Sequence, residues 1–393
     1  MNLNPVLTAL AAALAGEGPA VEFGPAGGGV PGRAAHRGEA HDDAWRLWRP
    51  SQAAAGLPEG TAVVVRTSGS TGAPKATALT VDALAASSMG TAIALKGEGQ
   101  WLLALPLEYI AGVQVLVRSL FAGTRPWAMD LSEGFTPEGF AEAAEQLTDP
   151  IRYTSLVPTQ LRRLLDDASP RAMAALRRFN AVLLGGAPIP PRLLERAREE
   201  GVHVVTTYGS AETCGGCVYD GQPLEGVEVE LVDGRVWLGG AVVASGYVGD
   251  PDRTAEHFRT DEDGIRWYVS SDVGEMGDDG RLHVLGRADD VVITGGVKAS
   301  AARVAAELEA LDAVREAFVA GVDDPEWGQA LAAAVVLVPE ADLKAVRADA
   351  VVRLGRLAPR VWVTLEDLPH LATGKPDRAA LTEILRSAHR SQP

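Results

Sequence analysis

The segment Thr67-Ser68-Gly69-Ser70-Thr71-Gly72-Ala73-Pro74-Lys75 carries the clearest chemistry in the chain. Glycines let backbone N–H groups approach phosphate oxygens, the hydroxyls add donors, and a lysine supplies the compensating charge. The segment follows the β-branched run Ala62–Arg66 and reads as a loop between a strand and a helix, where Gly-rich loops hold phosphate. The Gly-x-x-x-x-Gly-Lys-Ser/Thr spacing of a Walker loop is absent, and a flexible Ser/Gly linker is the plain alternative. Thr206-Thr207-Tyr208-Gly209-Ser210-Ala211-Glu212-Thr213 ends a strand and offers an aromatic ring for a base and a carboxylate for Mg2+ beside phosphates. Ser270-Ser271-Asp272-Val273-Gly274, after the aromatic strand Trp267–Val269, offers a carboxylate to two ribose hydroxyls. Gly286-Arg287-Ala288-Asp289-Asp290 interrupts the apolar pattern, and Thr373-Gly374-Lys375-Pro376 sets a lysine at a helix start. Taken singly, these have ordinary readings as strand-ending turns, a capping aspartate and a solvated helix start. Cys214-x-x-Cys217 lacks the second ligand pair of a zinc site and the helix start of a redox pair, so both cysteines are read as packing beside a pocket.

The elements that must position these residues alternate. The pattern predicts strands at 62–66, 101–105, 152–156, 181–184 and 203–207, with helices at 80–94, 110–121, 158–178 and 190–200. Such alternation indicates an α/β layer with a parallel sheet. Residues 17–60 give little periodic signal and read as loops and short helices after an N-terminal amphipathic helix. Beyond Gly209 the texture is β-rich, with a hairpin 227–238 closed by Asp233-Gly234 and strands at 265–269 and 281–285: a small β-barrel-like subdomain. The rest mixes strands and helices as a smaller α+β domain, which places a boundary between 1–287 and 288–393.

Composition removes several classes of function. The 393 residues carry 36 Lys and Arg against 52 Asp and Glu, a net charge of -16, which disfavours nucleic acid and anionic membrane surfaces as partners. Any anionic ligand must be held by local groups against that field. Residues 7–16 are apolar but lack a preceding basic residue, so they are not read as a secretory signal, and no run is long enough for a membrane span. Two cysteines cannot staple a chain of this size, and a reducing cytoplasm is the natural setting. The sequence does not set the oligomeric state; a homodimer would be ordinary.

Together and in this order, the five motifs resemble those of the adenylate-forming superfamily of acyl-CoA synthetases, luciferases and peptide adenylation domains, over about Ala62 to Leu381. With 66 residues before the phosphate loop, and in Leu105–Ser119 and Cys214–Gly221, the chain is similar to the short actinobacterial o-succinylbenzoate–CoA ligases of menaquinone biosynthesis. The resemblance implies a large N-terminal domain and a mobile C-terminal one. It also implies ATP, Mg2+, coenzyme A and a small carboxylic acid as reactants. It assigns ATP contacts to Ser68, Gly69, Ser70, Thr71, Gly72, Lys75, Gly185, Gly186, Ala187, Tyr208, Gly209, Asp272 and Arg287. Glu212, with Thr71, would hold Mg2+. Lys375 would bridge the acid and the α-phosphate, and Asp289 would be the hinge. Gly295 and Gly296 would line the thiol arm of CoA. The acyl pocket would be built from Tyr109, Ile110, Gly112, Gln114, Thr154 and Ser155. Arg118, four residues beyond Gln114 on the same helix face, would meet a second carboxylate.

Two departures stand out. The family's motif threonine is Ala211 here, and Val297–Val304 lacks the usual Pro-x-Glu helix start. Another aryl- or acyl-CoA ligase of the same fold stays open. An amino-acid adenylation enzyme would place a pocket aspartate in 151–158 or 206–213, and none is there; a nucleotide sensor would need neither Lys375 nor Glu212.

Overall fold

Β-branched and alternating runs build four sheets among the residues that the computed structural model describes: 2–24, 44–48, 56–68, 74–167, 169–370 and 376–390. In the first sheet, Thr61–Ser68 pairs antiparallel with Pro74–Thr80, from Thr61 opposite Thr80 to Ser68 opposite Pro74. The Gly-rich loop is therefore a hairpin connection, not a strand-to-helix loop. The expectation missed this because Ala76-Thr77-Ala78-Leu79 is buried on both faces and shows no alternation. Helix Val81–Ala94 starts only after that strand, with the Thr80 hydroxyl accepting from the Ala83 N–H at 3.2 Å as its N-cap. In the segment 17–60, expected as loops and helices, Val21–Phe23 and Trp45–Leu47 are strands at the sheet's edge, too short to show a period.

The second sheet has seven strands in the order Gln222–Pro223, Gly215–Tyr219, Val204–Ser210, Ala181–Gly185, Arg152–Leu156, Gln100–Leu103 and Trp127–Ala128. From Val204–Ser210 to Trp127–Ala128 all pairs are parallel. Alternate side chains enter different cores. Trp101, Leu103 and Leu183 join Leu84, Val113 and Leu116 of two helices, whereas Leu102, Val182 and Leu184 join Phe140, Leu161 and Leu176 of three others. Helices on both faces thus enclose a parallel sheet, as the alternation predicted.

The third sheet is antiparallel, Val227–Val232, Arg235–Gly240, Arg266–Met276 and Phe258–Thr260, with Leu282–Arg287 also on Arg266–Met276. Asp233 and Gly234, at φ 51° and 78°, make the left-handed two-residue turn that Asp-Gly favours. Asp272 lies inside the long strand rather than after it; Ser270-Ser271 breaks the apolar pattern without ending the strand. The sheet curls about Arg266–Met276, the barrel-like part of the fold, and no pairing joins Val227–Val232 to Phe258–Thr260 among the described residues.

The fourth sheet, Val297–Ser300, Val291–Thr294, Gly328–Leu337 and Val314–Asp324 with Val361–Thr364 parallel to Gly328–Leu337, has its own two cores. Ala333 and Val335 face Val304, Leu308 and Val346, while Ala332, Ala334 and Val336 face Leu381 and Leu385. It touches the rest through an Arg162–Glu316 ion pair, an Arg192–Asp312 ion pair, and the Ser300 hydroxyl donating to the Leu285 carbonyl at 2.9 Å. No helix among the described residues is long and apolar enough to cross a membrane.

Helix Ile110–Phe121 is enclosed, with Gly112 through Ser119 all buried. A Cβ at Gly112 would run into the Pro106 carbonyl oxygen, a backbone atom that cannot swing aside. Gly112→Ala should cost about 1–3 kcal/mol despite the better helix propensity of alanine. Urea unfolding should show a lower midpoint at unchanged slope; an unmoved midpoint would mean that residues 105–109 yield.

Candidate active site

The Val204–Ser210 strand ends in the short turn Ala211–Thr213, where the Thr213 hydroxyl oxygen accepts the Ser210 N–H at 3.0 Å. That turn buries Glu212 to 1% exposure. The register of the hairpin brings Lys75 to it as an ion pair, and the Tyr247 hydroxyl donates to Glu212 Oε1 at 2.8 Å. Burial works against the charge on Glu212, but Lys75, Tyr247 and Ser210 outweigh it and hold the carboxyl below the usual carboxylate range. Lys75 keeps 21% of its side chain exposed, on the side of the hairpin connection. Ser68 ends the strand that enters this connection. Gly69, Ser70, Thr71 and Gly72 lie outside the described residues.

Four residues before Glu212, Tyr208 donates its hydroxyl to Asp272 Oδ2 at 2.7 Å. Burial first, and then the Asp272 charge, push this phenol well above its ordinary range, so it stays a donor. Asp272 sits opposite Arg287 in the strand register, so three residues expected around adenine and ribose are gathered at one place. Gly185 ends the neighbouring strand opposite Thr207, where a Cβ would run into the Thr207 hydroxyl; Gly186 follows at φ 81°, then Ala187. Gly209 is in turn pressed against the Gly215 carbonyl. These positions form the carboxyl ends of adjacent parallel strands, where open α/β sheets take ligands.

The acyl-side residues divide by what they already bond. The Thr154 hydroxyl donates to the Leu102 carbonyl at 3.0 Å and is committed to the sheet; Ser155, beside it, is buried. Ile110 and Gln114 face Gly215, and the Gln114 amide donates to the Cys214 carbonyl and to Ser87 Oγ, leaving Gln114 Oε1 buried without a partner. The Tyr109 hydroxyl is also buried and unpartnered. Arg118 is 6% exposed; its Nη2 donates to the Tyr219 hydroxyl at 3.2 Å and its guanidinium lies 5.2 Å from the Trp101 ring centre. Its Nε is buried with no partner, and among the described residues no carboxylate pairs with it. Cys214 and Cys217 are fully buried and unpaired, and burial pushes the Cys217 thiol up to about 12. Both are neutral packing groups at this site.

Gly295 and Gly296 form the tight turn between Val291–Thr294 and Val297–Ser300, at φ 54° and 79°, with Gly295 pressed on the Trp327 ring. The turn by itself requires glycines there. Asp289 lies in the short turn Ala288–Asp290 that joins the third sheet to the fourth. Lys375 lies outside the described residues.

Tyr247 and Trp101 belong to no recognised motif, and Tyr219 lies in the recognised stretch Cys214–Gly221 without an assigned role. Tyr247 comes from a two-residue strand, Gly246–Tyr247, too short for any period to reveal. Among the described residues no three His, Cys, Asp or Glu side chains converge as an all-protein metal cage would. A nucleotide-bound Mg2+ needs less: it keeps waters and phosphates and takes one or two carboxylates, which fits the buried, ionised Glu212 beside the Gly-rich connection.

Residues 20–248 match the family model described as AMP-binding enzyme, and residues 304–375 match AMP-binding enzyme C-terminal domain. A probable 2-succinylbenzoate–CoA ligase of Mycobacterium tuberculosis is 43% identical over 334 residues, covering 83% of this chain and 85% of that protein. The 2-succinylbenzoate–CoA ligase of Escherichia coli is 34% identical over 86% of this chain and 72% of that one. The o-succinylbenzoate CoA synthetase of Bacillus subtilis, solved with the acyl-adenylate intermediate OSB-AMP, superposes with a TM-score of 0.70 at 28% identity, over 83% of this chain and 70% of that one.

The ion pair dictates a pH signature. With Lys75 present, Glu212 has a depressed folded pKa, so its stabilisation is present above the ordinary carboxylate pKa and is lost as pH falls through the depressed value. Lys75→Met leaves burial opposed only by the Tyr247 and Ser210 hydrogen bonds and raises that pKa, so the variant loses stability as pH rises. Chemical denaturation should find Lys75→Met less stable by about 3 kcal/mol at pH 8 and by clearly less at pH 5. A deficit independent of pH would mean that the lysine stem, not its charge, matters.

Proposed function

The chain belongs to the family of AMP-binding enzymes, and on that premise we propose that it is an AMP-forming acid–thiol ligase that joins o-succinylbenzoate to coenzyme A in the cytosol. The first step brings a carboxylate to the α-phosphorus of ATP, an anion to an anion, with pyrophosphate leaving. The protein's part is positioning and neutralisation. Ser68, Ser70, Thr71 and Lys75 would hold the β- and γ-phosphates, with the backbone of Gly69 and Gly72. Tyr208, Asp272 and Arg287 would hold the nucleoside between Gly185–Ala187 and Gly209. Glu212, with Thr71, would hold Mg2+, which supplies charge neutralisation to the phosphates. Lys375 would bridge the substrate carboxylate and the α-phosphate as a flexible point-charge donor. In the second step the CoA thiol attacks the mixed anhydride and AMP leaves. We place the rotation that clears Lys375 at Asp289, between domains 1–287 and 288–393, and the thiol arm beside Gly295 and Gly296.

One observation carries the substrate. Among the described residues, Arg118 is a buried guanidinium whose neighbours are a phenol and an indole ring, with no carboxylate paired to it. A buried cation without an anion is expensive, and a second carboxylate on the acid would complete it. The enclosed helix places Gln114 and Arg118 on one side, so the dicarboxylate would lie along that face with its ring near Ile110 and Tyr109. ATP–pyrophosphate exchange, followed by thioester formation with CoA, over a panel of aromatic mono- and dicarboxylates tests the reading. o-Succinylbenzoate should lead; no exchange with it would end the substrate assignment.

Arg118→Leu should raise the KM for o-succinylbenzoate about ten- to a hundredfold, as for a lost charge-assisted hydrogen bond, and leave a monocarboxylate such as benzoate nearly unchanged. Equal losses would make Arg118 a support of the fold. Lys375→Ala should abolish pyrophosphate exchange while chemically supplied acyl-adenylate is still converted to thioester; a drop of less than about tenfold would remove the lysine from the mechanism. Asp289→Pro, which restricts the backbone rotation, should keep adenylation and lose thioester formation. Equal loss of both half-reactions would move the hinge elsewhere.

A further inference from the structure

Tyr247 touches both charged partners at the phosphate side of the site. Its hydroxyl donates to Glu212 Oε1, the oxygen that Lys75 also pairs with, and lies 3.5 Å from Lys75 Nζ; the ammonium is 5.2 Å from the ring centre. Register explains the meeting. Tyr247 pairs with Thr77, two residues along the strand from Lys75, and the Ala244 N–H donates to the Glu212 carbonyl at 2.9 Å.

The three groups differ in freedom. Glu212 is sealed in its turn at 1% exposure, and Tyr247, at 6%, has Phe258 and His257 edge-on to its ring at 5.4 and 6.0 Å. Lys75 alone has a flexible stem and a partly open side chain. On the reading above, Lys75 serves the phosphates and Glu212 the metal, and neither can do so while they are paired with each other. A buried carboxylate does not release one cation unless another replaces it. We infer that Tyr247 is a positioning residue for a cation exchange at Glu212. It keeps the carboxylate aimed at one spot, taken by the Lys75 ammonium in the unliganded protein and by the metal of the metal–ATP complex afterwards, when Lys75 is free for the phosphates. A neutral, anchored phenol suits this task, because it bonds the carboxylate without competing for the spot.

The inference rests on the assignment of Glu212 to the metal, and calorimetry of the full chain separates the two. ATP is titrated with Mg2+ and with chelator, into the unmodified protein, Glu212→Gln and Tyr247→Phe. Glu212→Gln should lose the affinity gained with Mg2+. Tyr247→Phe, which keeps the ring, should lose about tenfold or more of that gain while metal-free ATP binds within about twofold of normal. A gain retained in Glu212→Gln overturns the metal assignment itself. A gain lost there but retained in Tyr247→Phe overturns the exchange alone, as does an equal loss of metal-free and metal-bound affinity. A second measurement needs no folded Tyr247 variant. The chain has 5 lysines, so acetylation can be read residue by residue by mass spectrometry. In the unliganded protein Lys75 should label several-fold more slowly than exposed Lys298, and Glu212→Gln should remove the protection. Equal labelling of Lys75 and Lys298 in the unmodified protein also overturns the exchange.

Discussion

A carboxylate with 1% of its surface exposed cannot hold a charge without a cation at hand, and Glu212 holds one. Meeting that requirement joins three segments far apart in sequence. The hairpin supplies Lys75, the turn after the Val204–Ser210 strand supplies the acid, and the Gly246–Tyr247 strand, laid against Pro74–Thr80, supplies the phenol. The same contacts lock the first sheet to the second at the edge where the Gly-rich connection begins. Stability at this junction, and phosphate handling on the proposed reading, thus depend on one buried ion pair.

Arg118 is the converse case. Its guanidinium is buried with a hydroxyl and a ring but, among the described residues, without an anion. The two sites are linked through the strand–turn–strand 204–219. Tyr208 bonds Asp272 and Glu212 bonds Tyr247, and Cys214, in the left-handed conformation at φ 53°, gives its carbonyl to Gln114 and Ser87. Gln114 lies one helical turn before Arg118, so the turn that carries Glu212 and the helix that carries Arg118 are hydrogen-bonded to each other. On a chain of net charge -16, an anion at either place would have to be held by the local cation, Lys75 or Arg118, against a repelling field.

The fourth sheet stands on different terms. Its two faces are covered by its own helices, so its stability comes from within, and it meets the remainder through ion pairs and a hydrogen bond rather than a shared core. The Arg192–Asp312 pair is exposed and weak, but Arg162–Glu316 is largely buried and would need new partners if it parted. The proposed rotation about the Ala288–Asp290 turn would act on this boundary.

Much was legible in the residues alone. Long helices and parallel strands show in their periodicity, and helix Ile110–Phe121 and strand Arg152–Leu156 fall at the residues that pattern indicates. Backbone-demanding turns such as Asp233-Gly234 announce themselves by residue type. The five motifs name their chemistry because phosphate, ribose and metal each demand particular donors. What the sequence could not determine was who meets whom. Pro74–Thr80 hid as a strand because burial on both faces erases alternation, and with it the hairpin nature of the Gly-rich connection. Tyr247 escaped notice because a two-residue strand has no period and its partners are 35 and 172 residues away. What surrounds Arg118 was equally unreadable, since only packing brings Tyr219 and Trp101 to it. Local conformation follows from neighbours along the chain, but the pairing of a buried charge follows from neighbours in space, and those exist only once the sheets are assembled.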